Sequence, residues 1–284
     1  AANDGLIDVV RTTFHPTTYF AERIAGGLVA VDNPLPAGDD PMFWSPTRNA
    51  IETFQRSRLI AVNGADYERW VPMVALPESR TVVTTRDFEE PFIVVEGVTH
   101  SHGPAGEHSH DGIDGHTWVD PVNAIRQART LGEAMQRTWP EHAEAFAANL
   151  AALVADLEEL DAAMQAIAPR LEGVVLLSNH PSYGYLARRY GLTITNVDLD
   201  PEALPGGADL ANVRDAIPDE GDRQVILLWE SEPLDEVRQL LFADMRVESL
   251  VFDPAESLSR VERADGFDYL SIMRHNIEQL GSML

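Results

Sequence analysis

Three polar residues close apolar runs in the second half of the chain. His180 follows 174–178, Glu230 follows 225–229 and Asp253 follows 247–252. If each run is a strand, one imidazole and two carboxylates leave carboxyl ends at one sheet edge, where open α/β sheets bind ligands. From the first half, the stretches 42–44, opening on Met42, and 116–118, opening on His116, are the comparable candidates. Imidazole nitrogen with carboxylate oxygen is the donor set that zinc accepts when thiolates are absent, and the chain has no cysteine. His180 and Asp253 each precede a proline, so a turn or cap role is the plain alternative for both.

A second concentration of imidazole lies at 99–115, a stretch rich in Gly, His and acidic residues with almost nothing to bury. His100, His102, His108 and His110 stand beside Glu107 and Asp111. Such a tract, read as a mobile loop, is a low-order metal trap; a polar surface loop with no task is the alternative. Acid would release metal from it, since an unperturbed imidazole titrates at ~6.5. The other histidines read as structural or solvated: His15 in a strand–helix turn, His142 early in a long helix, His275 on the closing helix. The acidic run 156–161 reads as a solvated helix face.

The elements that would position these groups alternate in the manner of an α/β chain. Strands are expected at 6–14, 28–33, 59–62, 81–84 and 92–95, with helices at 17–25 and 46–55. From Pro121 the pattern turns helical, and 140–167 has no Gly or Pro after its first residue. Thr138 suits the N-cap and Pro140 the first turn. At 1.5 Å per residue that helix spans roughly 40 Å, long enough to join two lobes. Beyond it, strands at 174–178, 192–197, 225–229 and 247–252 alternate with helices at 182–190, 234–241 and 267–280. The organisation expected is an N-terminal α/β lobe at 1–138, a connecting helix at 139–169 and a C-terminal α/β lobe at 170–284.

Composition narrows the chemistry further. The 284 residues carry 46 acidic side chains against 21 basic ones, a formal charge of −25. That argues against nucleic acid and anionic membrane, both of which need a basic face. No apolar run reaches the roughly 20 residues of a membrane-spanning helix. All 21 basic residues are arginine, which removes a P-loop lysine, a Schiff base and a lysine general base. No HExxH helix or GxSxG elbow is present, so a zinc-dependent enzyme is the lesser reading. The start Ala1-Ala2-Asn3-Asp4 suits a secreted, periplasmic protein from which an export signal has been removed.

Several motifs, in order, resemble a known family. These are Phe14-His15-Pro16 with Tyr19-Phe20-Ala21, the segment Arg58-Leu59-Ile60-Ala61-Val62-Asn63-Gly64-Ala65, the run His116-Thr117-Trp118-Val119-Asp120-Pro121, the run Asn179-His180-Pro181-Ser182-Tyr183-Gly184-Tyr185-Leu186, and Phe252-Asp253-Pro254. Together they resemble the substrate-binding proteins of zinc and manganese ABC importers, the ZnuA/TroA-like class. That resemblance implies two α/β lobes, each a mainly parallel sheet flanked by helices, joined by one long rigid helix with a ligand cleft between them. It implies metal ligands at His116, His180 and Asp253, with Zn2+ as the transported ligand. His at the position of His180 is the choice of zinc carriers, where manganese carriers tend to have Glu. It implies an ABC permease as partner, a periplasmic metallochaperone as a further one, and a monomer. The family's zinc members often have a His-rich acidic loop just before the residue matching His116.

One position departs from the pattern. Where the family usually has "DPHxxEPT", this chain reads Asp40-Pro41-Met42-Phe43-Trp44-Ser45-Pro46-Thr47, and a thioether is a poor zinc ligand better suited to copper(I). Three accounts stay open. His116, His180 and Asp253 bind zinc with a fourth ligand from elsewhere, such as Glu230, a loop histidine or water. Alternatively the cleft takes a different solute between Trp44, Trp118 and Trp229, or Met42 is packing and metal is held weakly.

Overall fold

The computed structural model describes residues 5–95, 99–101, 107–109, 112–219, 223–258 and 260–284. The chain begins with β1 (Ile7–Thr12), α1 (His15–Ala25), β2 (Ala30–Asp32), α2 (Arg48–Gln55), β3 (Ser57–Val62) and β4 (Thr81–Val83). Four short strands follow: β5 (Val94–Val95), β6 (Thr99–Ser101), β7 (Glu107–Ser109) and β8 (Gly112–Ile113). Two long helices, α3 (Pro121–Thr138) and α4 (Ala143–Ile167), precede a second α/β run. That run comprises β9 (Val175–Ser178), α5 (Gly184–Tyr190), β10 (Ile194–Asn196), α6 (Gly207–Ala216), β11 (Val225–Trp229), α7 (Asp235–Met245) and β12 (Val247–Val251). The helices α8 (Arg260–Asp265) and α9 (Tyr269–Ser282) complete it.

The chain forms two compact units, each built from three stretches. One holds the residues through Pro91, 120–161 and 255–272; the other holds 92–119, 162–254 and 273–284. His116 therefore shares a unit with His180, Glu230 and Asp253, while Met42 belongs to the other.

In the first unit the sheet has the order β2-β1-β3-β4, all parallel. Pro16 suits the first turn of α1, and Gly26 ends the helix at φ 55°, where a residue without Cβ is not strained. The Thr47 side chain accepts from Ala50 N at 3.2 Å and starts α2. Trp44, Phe54, Ile60, Val62 and Trp70 pack as one buried cluster beside the sheet. Buried Glu68 ties the strand ends together: it accepts from Thr13 Oγ1 and Asn63 N, both at 2.6 Å, and from Gly64 N at 3.1 Å. Burial pushes its carboxyl up, against the pull of those donors.

The second unit repeats the order as β10-β9-β11-β12, again parallel. Its core gathers Leu177, Val197, Val213, Leu227, Trp229, Val237 and Leu241. The run Val225–Trp229 is buried at all five positions, which is why it reads as continuously apolar rather than alternating.

Two expectations are corrected. Thr138 does not begin a helix; it is the last residue of α3, with its hydroxyl donating to Ala134 O at 2.7 Å. A 3-10 turn at Pro140–His142 intervenes before α4. The stretch 99–115 is not a loop throughout. β6 and β7 pair antiparallel with His100 opposite His108, and β5 pairs with β8. A ladder satisfies backbone donors and acceptors without needing apolar side chains, so it leaves little trace in composition. His102 and His110 lie outside the described residues.

Candidate metal centre

His116 is held by the residues just before it. Asp114 N donates to Ile93 O at 2.8 Å, and the Tyr185 hydroxyl donates to Asp114 O at 2.8 Å. One carboxylate oxygen, Asp114 Oδ1, accepts His116 N at 2.9 Å and lies 2.8 Å from His116 Nδ1. Both side chains are buried, to 1% exposure for Asp114 and 3% for His116. His116 Nε2 lies 3.4 Å from the Ser182 hydroxyl. At Gly184 an added Cβ would stand 2.7 Å from Asp114 Oδ2, so only glycine lets α5 start this close to the carboxylate.

His180 and Glu230 follow adjacent central strands of the second sheet. From β9 the chain steps outward to β10, then crosses to β11 on the other side, so β9 and β11 flank the point where strand order reverses. Crevices outside carboxyl ends at such points are where α/β sheets bind ligands. Asn179 fixes the pair of loops: its amide donates to Leu199 O at 3.1 Å and its Oδ1 accepts Glu230 N at 3.0 Å. His180 Nδ1 then lies 3.8 Å from Glu230 Oε2. The His116 and His180 rings stand edge to face, 5.8 Å between centroids at 83°. Two buried imidazoles thus meet, each backed by a carboxylate on its Nδ1 side.

Asp253 follows β12 in the same unit, its backbone clamped by Asn276 through N–H···Oδ1 at 3.2 Å and Nδ2–H···O at 2.7 Å. Among the described residues, no set of three or more His, Asp or Glu side chains is gathered into metal-holding geometry. Met42 is buried in the first unit, with its N–H donating to Asp40 Oδ1 at 2.8 Å. Each of the three tryptophans Trp44, Trp118 and Trp229 is buried within its own unit. Trp44 packs edge-on against Trp70 at 5.7 Å, Trp229 lies in the core of its own unit, and Trp118 is fully buried with Nε1–H donating to Pro254 O at 2.7 Å.

Sequence reasoning did not single out Asp114, Asn179, Ser182 or Glu68. For Asp114 a local signal existed, an acidic residue two positions before a candidate ligand histidine, but its neighbours in a Gly/His/acid-rich stretch mask it. His15 was expected to be structural. It is 9% exposed, its Nε2 has no hydrogen-bond partner among the described residues, and it lines a cavity of about 340 Å³ with Glu22, Asn33 and Arg263. Burial, helped by Arg263, pushes its pKa down to about 4.

Two parallel sheets of one strand order, with polar side chains beyond their carboxyl ends, are the architecture of an α/β ligand-binding protein. The chain belongs to the family described as ZnuA, zinc-uptake complex component A, periplasmic, whose model matches residues 10–283. It is 26% identical over 283 residues to the zinc-binding lipoprotein AdcA of Streptococcus pneumoniae, covering 98% of this chain and 56% of that protein. The chain thus spans just over half the length of that relative. The high-affinity zinc uptake system protein ZnuA of Bacillus subtilis is 26% identical over 280 residues, covering 97% of this chain and 87% of that one. The Zn(II)-bound ZnuA-like domain of S. pneumoniae AdcA shares the fold with a TM-score of 0.81 at 24% identity, over 98% of each chain. The metal-dependent lipoprotein YcdH of B. subtilis also gives 0.81 at 24% identity, over 96% of this chain and 98% of that one.

Proposed function

We propose that this chain is the extracytoplasmic, periplasmic substrate-binding component of an ABC importer, capturing zinc and handing it to a membrane permease without chemical turnover. The observation that carries this reading is the pair of buried imidazoles, His116 and His180, meeting beyond the strand ends of one sheet with a carboxylate behind each. Nitrogen donors favour zinc over manganese, and a carboxylate behind a histidine raises its basicity toward a metal. Asp253, on the neighbouring strand end, is the third ligand in this account, and a bound cation supplies the attraction that brings it in. Glu230 orients His180 from behind. Met42 is assigned to packing, in keeping with its burial. A net charge of −25 enriches cations near the surface. The relatives named for zinc binding and zinc uptake support the same cargo. Among the described residues no helix is long and apolar enough to cross a membrane.

Elemental analysis of desalted protein, after zinc, manganese and copper are offered together, tests this. At least one zinc retained per chain is expected, with manganese well below it. A chain that retains no zinc, yet captures it once Met42→His is introduced, would show that the fold has turned to a different solute.

A further inference from the structure

We infer that Asp114 is the positioning residue that selects the coordinating nitrogen of His116. A carboxylate accepts and does not donate. With Oδ1 at 2.8 Å from Nδ1, the hydrogen of the neutral ring sits on Nδ1, and the bare lone pair is on Nε2, the atom left to bind a metal. The same Oδ1 takes the His116 backbone N–H at 2.9 Å, so a rotation of the carboxylate would break two contacts at once. Asp114 is itself anchored at both backbone groups, through Ile93 O and the Tyr185 hydroxyl. Its second oxygen, Oδ2, is buried against Gly184 and has no hydrogen-bond partner among the described residues. The carboxylate charge is therefore directed at the imidazole, where it favours a cation on the far nitrogen. The other imidazole is held differently: Glu230 Oε2 is 3.8 Å from His180 Nδ1 and its side chain is 20% exposed. His116 is the preset donor and His180 the adjustable one.

The assignment rests on the zinc-receptor reading only for what binds at Nε2; the tautomer stands or falls without metal. The experiment is a long-range proton–nitrogen NMR correlation on metal-free, 15N-histidine-labelled protein, with His116 resonances assigned through His116→Gln. Zinc affinity is then measured against a chelator in wild type, Asp114→Asn and Asp114→Ala. In wild type the expected result is His116 with Nδ1 protonated and Nε2 bare. Asp114→Ala should mix the two tautomers while leaving His180 unchanged, and weaken zinc about 10–100-fold. Asp114→Asn can keep a carbonyl oxygen for both the backbone N–H and Nδ1–H of His116, so it should keep the Nδ1–H form, lose only the charge, and weaken zinc less than Asp114→Ala. Retention of the Nδ1–H form and of wild-type affinity in Asp114→Ala would overturn the inference, as would an Nε2–H ring in wild type. A wild-type chain with the expected tautomer that binds no zinc would instead contradict the receptor reading and leave the tautomer assignment standing.

Discussion

His180 Nδ1 stands 3.8 Å from Glu230 Oε2, across β9 and β11, the two strands between which the order of the second sheet reverses. The contact exists because Asn179, one residue before the histidine, accepts the Glu230 backbone N–H. It brings a nitrogen donor and its carboxylate to the point in an α/β sheet where ligands bind. Replacing His180 by Ala removes a donor and should weaken zinc at least about tenfold. Glu230→Gln keeps the imidazole and loses its charged neighbour, so its loss should be smaller than that of His180→Ala. Chelator competition measures both; equal affinities in wild type and His180→Ala would remove His180 from the site.

Glu68 should be intolerant even of its amide. Its Oε1 accepts from Thr13 and Asn63 and its Oε2 from Gly64 N–H. Glu68→Gln places an N–H₂ where one of these donors points, and a buried donor without an acceptor costs about 1–3 kcal/mol. Denaturant unfolding should show a loss of that size. A variant as stable as wild type would mean that the turn after β3 finds another acceptor.

The acid limb of stability should carry the signature of His15. Desolvation, reinforced by Arg263 and opposed by Asp268, depresses its folded pKa from 6.5 to about 4. Glu22 lies in the same cavity wall. A depressed base is neutral in the folded state and takes up a proton on unfolding. Its contribution is therefore full above pH 6.5 and is lost as pH falls toward 4. The total is about 3 kcal/mol at ~1.4 kcal/mol per unit. His15→Gln should flatten the fall in stability between pH 6.5 and 4. An unchanged slope would show that other groups set the acid limb.

We propose that the histidine-rich tract holding His100 and His108 serves in loading rather than holding. Deleting 99–111 should leave one tight zinc site but slow the uptake of zinc from a chelated source. Stopped-flow loading with a zinc–chelator complex measures this, and identical rates would deny the tract any role in capture.

Most of the framework was legible in the sequence, for a physical reason. Strands buried on both faces, such as Val225–Trp229, must be apolar at every position, and the helix stops at Gly26 and Pro-containing starts follow from backbone constraint. The polar residues closing those strands could be read as strand-end groups, and His180 and Glu230 do approach one another. What could not be read depends on distant chain folding back. Asp114 acquires its role only once Ile93 and Tyr185 anchor it and Gly184 makes room. The β6–β7 ladder pairs backbone groups, which leave no trace in composition. α6 opens on Gly206-Gly207 and buries only Val213, so it offers almost no periodic apolar stripe. The packing of Trp44, Trp118 and Trp229 could not be read either, because an indole near a candidate ligand can serve the core as readily as a pocket.

The central claim, that the buried pair His116 and His180 holds the zinc, is tested most directly on protein lacking 99–111, so that tract histidines cannot contribute. Calorimetric zinc titration of this chain should give one tight site. The same titration with His116→Ala or His180→Ala added should lose it, with folding checked by circular dichroism. A tight site of unchanged stoichiometry and affinity in both histidine variants would contradict the account and place the metal elsewhere in the molecule.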